Sequence, residues 1–238
     1  MLEIRRLVKH YRAPGGEPVR AVDDVSLAVE RGELVALYGP SGSGKTTLLK
    51  LIAAVMTPDS GEVLVGGRDV ARLPDREAAR YRLKDVGFVL QTFHMIGGLS
   101  AIDNASLKLV GTGMRVREAH QRVTPLLTRL GLDERAEHRV NQLSMGERQR
   151  VAIAKALSTD PGLLLADEPT GNLDTRRGRE VLALLREVCR ERQTAVVLVT
   201  HDPQAAAVAD RVLALRDGRL VEYVPDLPAD LPAALEQR

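Results

Sequence analysis

The chain is expected to fold as an α/β protein on a mainly parallel sheet, interrupted by an all-helical insertion. Three observations carry this expectation. The apolar run Leu34-Val35-Ala36-Leu37 leads through a glycine-rich turn into Leu48 to Val55, which has helical spacing. Further short apolar runs, Val86 to Leu90, Leu163 to Ala166 and Ala195 to Thr200, read as strands buried on both faces. Between Thr92 and Ser158 the alternation stops, and Ile102–Leu109, Val116–Leu130 and Gly146–Leu157 all have helical spacing with no strand-like run among them.

Taken in order, residues 2–9 alternate as a strand, with Leu2, Ile4 and Leu7 as candidates for its inner side. Residues 13–18 are rich in Gly and Pro and read as a turn. Val19 to Val29 is a second strand, because Val25, Leu27 and Val29 alternate with polar or small residues. After the helix that ends near Thr57, Glu62 to Val65 is a short strand closed by Gly66-Gly67, and residues 74–83 suit a short helix. Beyond the insertion come a helix over Arg176 to Glu191 and a short helix over Gln204 to Ala209. Arg211–Leu215 and Leu220–Val224 then flank Asp217-Gly218, a hairpin signal. The main domain is expected to span 1–224, with a helical subdomain over about 92–158, and residues 225–238 to form a peripheral tail.

Composition narrows the function. The 238 residues suit one large domain with a small inserted subdomain. Lys and Arg number 34 against 32 acidic residues, so no basic surface dedicated to nucleic acid is expected. Aromatic residues make up 3% and Trp is absent, which argues against base-stacking platforms. The single Cys189 excludes an internal disulfide and reads as a core residue. The N-terminus is charged where a signal peptide would be apolar, and no apolar run approaches 18 residues. A soluble, cytoplasmic chain without direct membrane insertion is therefore expected.

Gly39-Pro40-Ser41-Gly42-Ser43-Gly44-Lys45-Thr46 fits G-x-x-x-x-G-K-[ST], between a strand and a helix as that motif requires. Glycines let the backbone N–H groups turn inward around an anion, and the helix N-terminus adds partial positive charge. Lys45 would reach the β- and γ-phosphates of a nucleotide, and the Thr46 hydroxyl, followed by Thr47, would ligate Mg²⁺.

Asp167 and Glu168 end the apolar run Leu163 to Ala166. Ligands gather at the carboxyl ends of parallel strands, so these carboxylates could lie beside the phosphate loop. There Asp167 would hold Mg²⁺, directly or through water, and Glu168 would polarise a water. Gln91 and His201 also end apolar runs. Gln91 could contact Mg²⁺ or the attacking water, and His201 the γ-phosphate. Ser144 with Glu147 forms S-x-x-E, a capping box, at the start of a helix in which Gly146 permits close backbone approach.

Together these motifs resemble those of the ABC-type ATPases, the nucleotide-binding subunits of ABC transporters. The resemblance covers residues 3 to about 222. It makes 39–46 the Walker A loop, Gln91 the Q-loop glutamine, Leu143 to Gln149 the signature, Asp167 and Glu168 the Walker B pair, Gly171 to Asp174 the D-loop, and His201 the switch histidine. Tyr11 matches the aromatic that stacks on adenine. Met145 departs from the pattern, standing where the family most often has the first signature glycine.

The resemblance implies a P-loop NTPase with a RecA-like core, an N-terminal antiparallel β subdomain and an inserted helical subdomain. It implies ATP and Mg²⁺ as ligands and Glu168 as the base. It also implies a head-to-tail homodimer in which Ser144, Gly146 and Glu147 of one subunit, with Asp174, close over ATP held by the other. An integral membrane permease would be the further partner, at the inner face of the cell membrane. Ala166 to Asp174 and Gly146 to Ala154 are similar to the lipoprotein-release, macrolide-export and cell-division branch. Two alternatives stay open at this point: a soluble ABC ATPase acting on nucleic acid or ribosomes, and a weakly hydrolysing nucleotide-binding module.

Overall fold

The computed structural model describes residues 1–12, 16, 18–90 and 94–222. Gln91, most of the 13–18 turn and the 225–238 tail lie outside the described residues.

Two sheets form the frame. β1 (Leu2–Arg12), β2 (Pro18–Val29), β4 (Ser60–Val65) and β5 (Arg68–Asp69) make an antiparallel sheet in the order β2-β1-β4-β5. β3 (Leu34–Tyr38), β6 (Val86–Val89), β7 (Leu163–Asp167), β8 (Ala195–Thr200), β9 (Arg211–Arg216) and β10 (Arg219–Glu222) make the second, ordered β10-β9-β3-β8-β7-β6. All its pairings are parallel except the β9–β10 hairpin. That hairpin turns on Asp217 and Gly218, both with positive φ, as a two-residue turn matched to strand twist requires.

The first strand solves a phase problem. Leu2 and Ile4 share one parity and Leu7 the other, yet all three are buried. A register shift between Ile4 and Leu7, with Arg6 at φ 46°, inserts the extra residue that returns Leu7 to the inner face. The strand also runs on through Tyr11 to Arg12, beyond the expected end at residue 9.

Alternation along the central strands sorts the cores. Val35, Leu37, Leu163, Leu165, Val197 and Val199 face one side, where α1 (Lys45–Ile52) fills the space beneath the antiparallel sheet. Leu48, Leu49, Leu51 and Ile52 of α1 are fully buried, each worth about 1.5–3 kcal/mol. Leu34, Ala36, Leu164, Ala166, Val196 and Leu198 face the other side. That core takes in α3 (Ala101–Gly111), α4 (Val116–Arg129), α5 (Met145–Leu157) and α6 (Thr175–Arg192). Cys189 is buried there, and burial pushes its thiol up to about 11.

α2 (Asp75–Lys84) packs beside β6. Among the described residues from 94 to 158 there is no named strand, only α3 to α5 and two short 3₁₀ turns. α5 touches β6 and α6 as well as α3 and α4, so the helical stretch is seated on the sheet rather than tethered to it. α7 (Pro203–Ala206) starts one residue before the expected 204–209, where N-cap Asp202 binds the Gln204 N–H and Pro203 opens the first turn, and ends earlier, at Ala206.

Candidate active site

The carboxyl ends of β3, β7 and β8 meet at one edge of the parallel sheet. Tyr38 pairs with Thr200, and Asp167 with Val199, so the chain leaves all three strands at nearly the same level. Residues 39–44 then loop from β3 into α1.

This loop is tightly seated. A Cβ on Gly44, whose φ is +103°, would lie 1.8 Å from the Ala21 carbonyl oxygen of β2, and one on Gly39 would lie 2.4 Å from that of Leu215 in β9. The backbone therefore has no room for side chains at these positions. Replacing Gly44 by Ala is expected to destabilise the fold by at least ~2 kcal/mol. A thermal melt should fall by roughly 4–8 °C for a chain of this size.

Lys45 begins α1 and is buried, 7% exposed. Its Nζ donates to the carbonyls of Gly39 at 2.7 Å and Pro40 at 2.8 Å, which holds the ammonium inside the loop. Burial pushes it below the ordinary lysine range, while the carboxylates of Glu168 and Asp167 pull it back up. Ser43 is buried beside it, Ser41 and Gly42 are exposed, and the Ser43 N–H donates to the Pro40 carbonyl. Thr47 lies in the first turn of α1.

The Thr46 hydroxyl donates to Asp167 Oδ1 at 3.4 Å. Two hard oxygen ligands thus stand together at the mouth of the loop. Burial raises the Asp167 carboxyl above its usual range, the Thr46 bond opposes this, and the neighbouring Glu168 charge adds to it.

Glu168 turns sharply away from β7. Its φ is +47°, the left-handed region that side chains other than glycine rarely occupy. Its N–H still donates to the Val199 carbonyl at 2.9 Å, and its own carbonyl accepts from Gly171. The side chain is held at both oxygens. His201 Nδ1 lies 2.7 Å from Oε1, and the Thr200 hydroxyl donates to Oε2 at 3.2 Å. The carboxylate is mostly buried while the imidazole is largely exposed. Thr200 had no place in the expectations from sequence. Its signal was a hydroxyl at the end of an otherwise apolar strand, directly before His201.

From Glu168 the chain coils through Gly171 and Leu173 to Asp174, which caps α6 by accepting from the Arg177 N–H at 3.0 Å. Arg177 also pairs with Asp174 at 3.4 Å, and its aliphatic stem lies against Gly146, where an added Cβ would be 3.1 Å from Cδ.

The capping box at α5 is present. Ser144 Oγ accepts from the Glu147 N–H, and Glu147 accepts from the Ser144 N–H at 2.7 Å. That bond, with help from Arg135 at 3.3 Å, holds the Glu147 carboxyl below its usual range. The Met145 side chain is 40% exposed and stands in solvent on the first turn. The bonds of Ser144 and Glu147 run to each other and to Arg135, not to residues 39–47. Tyr11 lies on β1 opposite Val19 and donates to Met56 Sδ at 3.4 Å.

Residues 22–171 match the protein family described as ABC transporter. The chain belongs to the ABC transporter family. It is an ATPase cassette of that family: its ligand is ATP, and its reaction is ATP hydrolysis.

Similar relatives include the "Lipoprotein-releasing system ATP-binding protein LolD 2" of Chlorobaculum tepidum, 45% identical over 92% of this chain and 91% of that protein. LolD of Chromohalobacter salexigens is 43% identical over 93% of both chains. "Macrolide export ATP-binding/permease protein MacB" of Hahella chejuensis is 42% identical, and this chain spans 34% of its length. Among solved structures, "Dimeric Structure of MJ0796, a Bacterial ABC Transporter Cassette" superposes with a TM-score of 0.84 at 38% identity, covering 92% of this chain and 96% of that one. The fold is accordingly that of an ABC ATPase cassette, with one antiparallel and one mostly parallel sheet.

A second concave feature lies away from the phosphate loop. A cavity of about 360 Å³ is lined by α2, β6, α3 and α5, with Arg82, Lys108 and Lys155 among its walls. All three cations bond to backbone carbonyls: Arg82 to Ala54, Lys108 to Val86 and Lys155 to His94. Burial pushes Lys108 down to about 8.

Proposed function

We propose that this chain powers a membrane transporter of the lipoprotein-release or macrolide-export type, working as two identical subunits with ATP between them. The observation that carries the catalytic part is the held carboxylate of Glu168, bonded to Thr200 and His201 beside the phosphate loop.

In this reading Lys45 and the N–H groups of 39–44 bind the phosphates, with Thr47 behind them in α1, and Tyr11 stacks on adenine. Glu168 accepts the proton of the attacking water, which joins the γ-phosphorus as ADP leaves. His201 has one ring nitrogen committed to Glu168 and the other for the γ-phosphate. Gln91 orients the water or the ion. Thr46 and Asp167 would hold Mg²⁺, which neutralises phosphate charge. Two oxygen donors suit an ion that keeps waters and takes phosphate oxygens for the rest of its shell.

The dimer reading is supported by the bonds of Ser144 and Glu147, which run to each other and to Arg135 and not to residues 39–47. Ser144, Gly146 and Glu147, with Asp174, are then free to close over ATP held by the second copy. The MJ0796 cassette, whose solved structure is described as dimeric, supports a pairing of two copies. No helix among the described residues is long and apolar enough to cross a membrane, so attachment to the inner face would come through an integral membrane subunit. The helical stretch α3 to α5, with the cation-lined cavity it borders, is the surface offered to it. Recovery of the tagged chain from detergent-extracted membranes should bring an integral membrane protein with it. Recovery with ribosomes or nucleic acid alone would overturn the transport reading.

A further inference from the structure

We propose that Thr200 is a positioning residue for ATP hydrolysis: its hydroxyl fixes the orientation of the Glu168 carboxylate. This rests on Glu168 acting as the base. Thr200 is fully buried at the last position of β8, paired with Tyr38, the residue before the phosphate loop. A threonine hydroxyl has one proton and two lone pairs. Here the Asp202 N–H takes a lone pair at 3.0 Å, and the proton goes to Glu168 Oε2 at 3.2 Å. The hydroxyl is therefore held from behind by the start of α7 and aimed forward at the carboxylate.

Glu168 needs this restraint. Its backbone sits in a left-handed conformation, so the neighbouring strand does not by itself impose a side-chain direction. His201, the other group on the carboxylate, is 61% exposed, so fewer neighbours pack against its ring. Thr200 is held more firmly, because its χ1 is restricted by β-branching and by burial. One oxygen is thus tied to the buried end of β8 and the other to an exposed ring. With His201 on Oε1 and Thr200 on Oε2, one lone pair on each oxygen remains to meet water. A base must be within hydrogen-bond reach of the proton it removes, and small displacements are costly.

The test compares Thr200→Val and Thr200→Ser. Valine keeps the shape and strand preference but has no hydroxyl, whereas serine keeps the hydroxyl. Steady-state turnover of Mg-ATP by Thr200→Val is expected to fall about 10-fold in kcat, with KM for ATP within about twofold. Thr200→Ser is expected to retain at least about half of the wild-type kcat. If the valine variant does not fold, Thr200→Ala carries the same expectation, since it adds no bulk. Unchanged kcat in the hydroxyl-free variants, an equal fall for serine and valine, or a change confined to KM would overturn the proposal. Glu168→Gln, measured alongside, separates the two claims. Lost turnover in that variant with unchanged Thr200→Val sinks the positioning role alone, whereas retained turnover in Glu168→Gln sinks the base itself.

Discussion

Glu168→Gln is expected to lower ATP turnover at least ~100-fold, the scale of losing a general base, while ATP still binds. The amide keeps the size of the side chain and can still accept from Thr200 at one atom, so the fold around β7 and β8 should persist. What it loses is proton affinity. A variant that binds but does not split ATP should accumulate as the ATP-held pair, so its mass in Mg-ATP by light scattering should double relative to the nucleotide-free state. Turnover within twofold of wild type would remove Glu168 from the mechanism. Persistent monomer at saturating ATP would remove the sandwich.

Lys45→Ala should abolish the reaction by another route. The ammonium is the one cation seated inside the loop among the described residues 39–47, bonded at 2.7 and 2.8 Å to Gly39 and Pro40. Its removal takes away charge where charge develops on the transferred phosphoryl group, which should cost at least about 100-fold in kcat/KM. ATP affinity, read by fluorescent-nucleotide titration, should fall with it, in contrast to Glu168→Gln. Lys45→Arg should not restore activity. A guanidinium is broader than an ammonium, and this position is 7% exposed with two carbonyls already against it. Near-normal affinity in Lys45→Ala would mean that the loop backbone alone carries the phosphates.

Much of the fold was legible because burial on both faces writes itself as uninterrupted apolar sequence. β3, β7 and β8 are such runs, and Leu163–Asp167 and Ala195–Thr200 lie where those runs end. The Asp217-Gly218 turn was legible because few residue pairs accept positive φ twice. The order of the strands was not, since it depends on pairings between segments far apart in the chain. The end of β1 is not legible, because His10, Tyr11 and Arg12 continue it without an apolar alternation. At the site, the residues at strand ends were visible as residue types. Their mutual bonds were not. That Thr200 faces Glu168 follows from the register Asp167 to Val199, which no local pattern encodes. The left-handed turn at Glu168 is likewise invisible, because glutamate has no preference for it.

The neighbours of β3 have a consequence for how the protein comes off the ribosome. Leu34 pairs with Val196 and Val35 with Arg211, so the strand that presents the phosphate loop is completed by segments made near the end of synthesis. Closing so long a loop carries an entropic cost that no local contact offsets beforehand. The glycine-rich motif is translated early, yet Gly39 packs directly against the Leu215 carbonyl. A nascent chain stalled before β9 would carry the whole motif without this neighbour, and is expected to bind ATP weakly if at all.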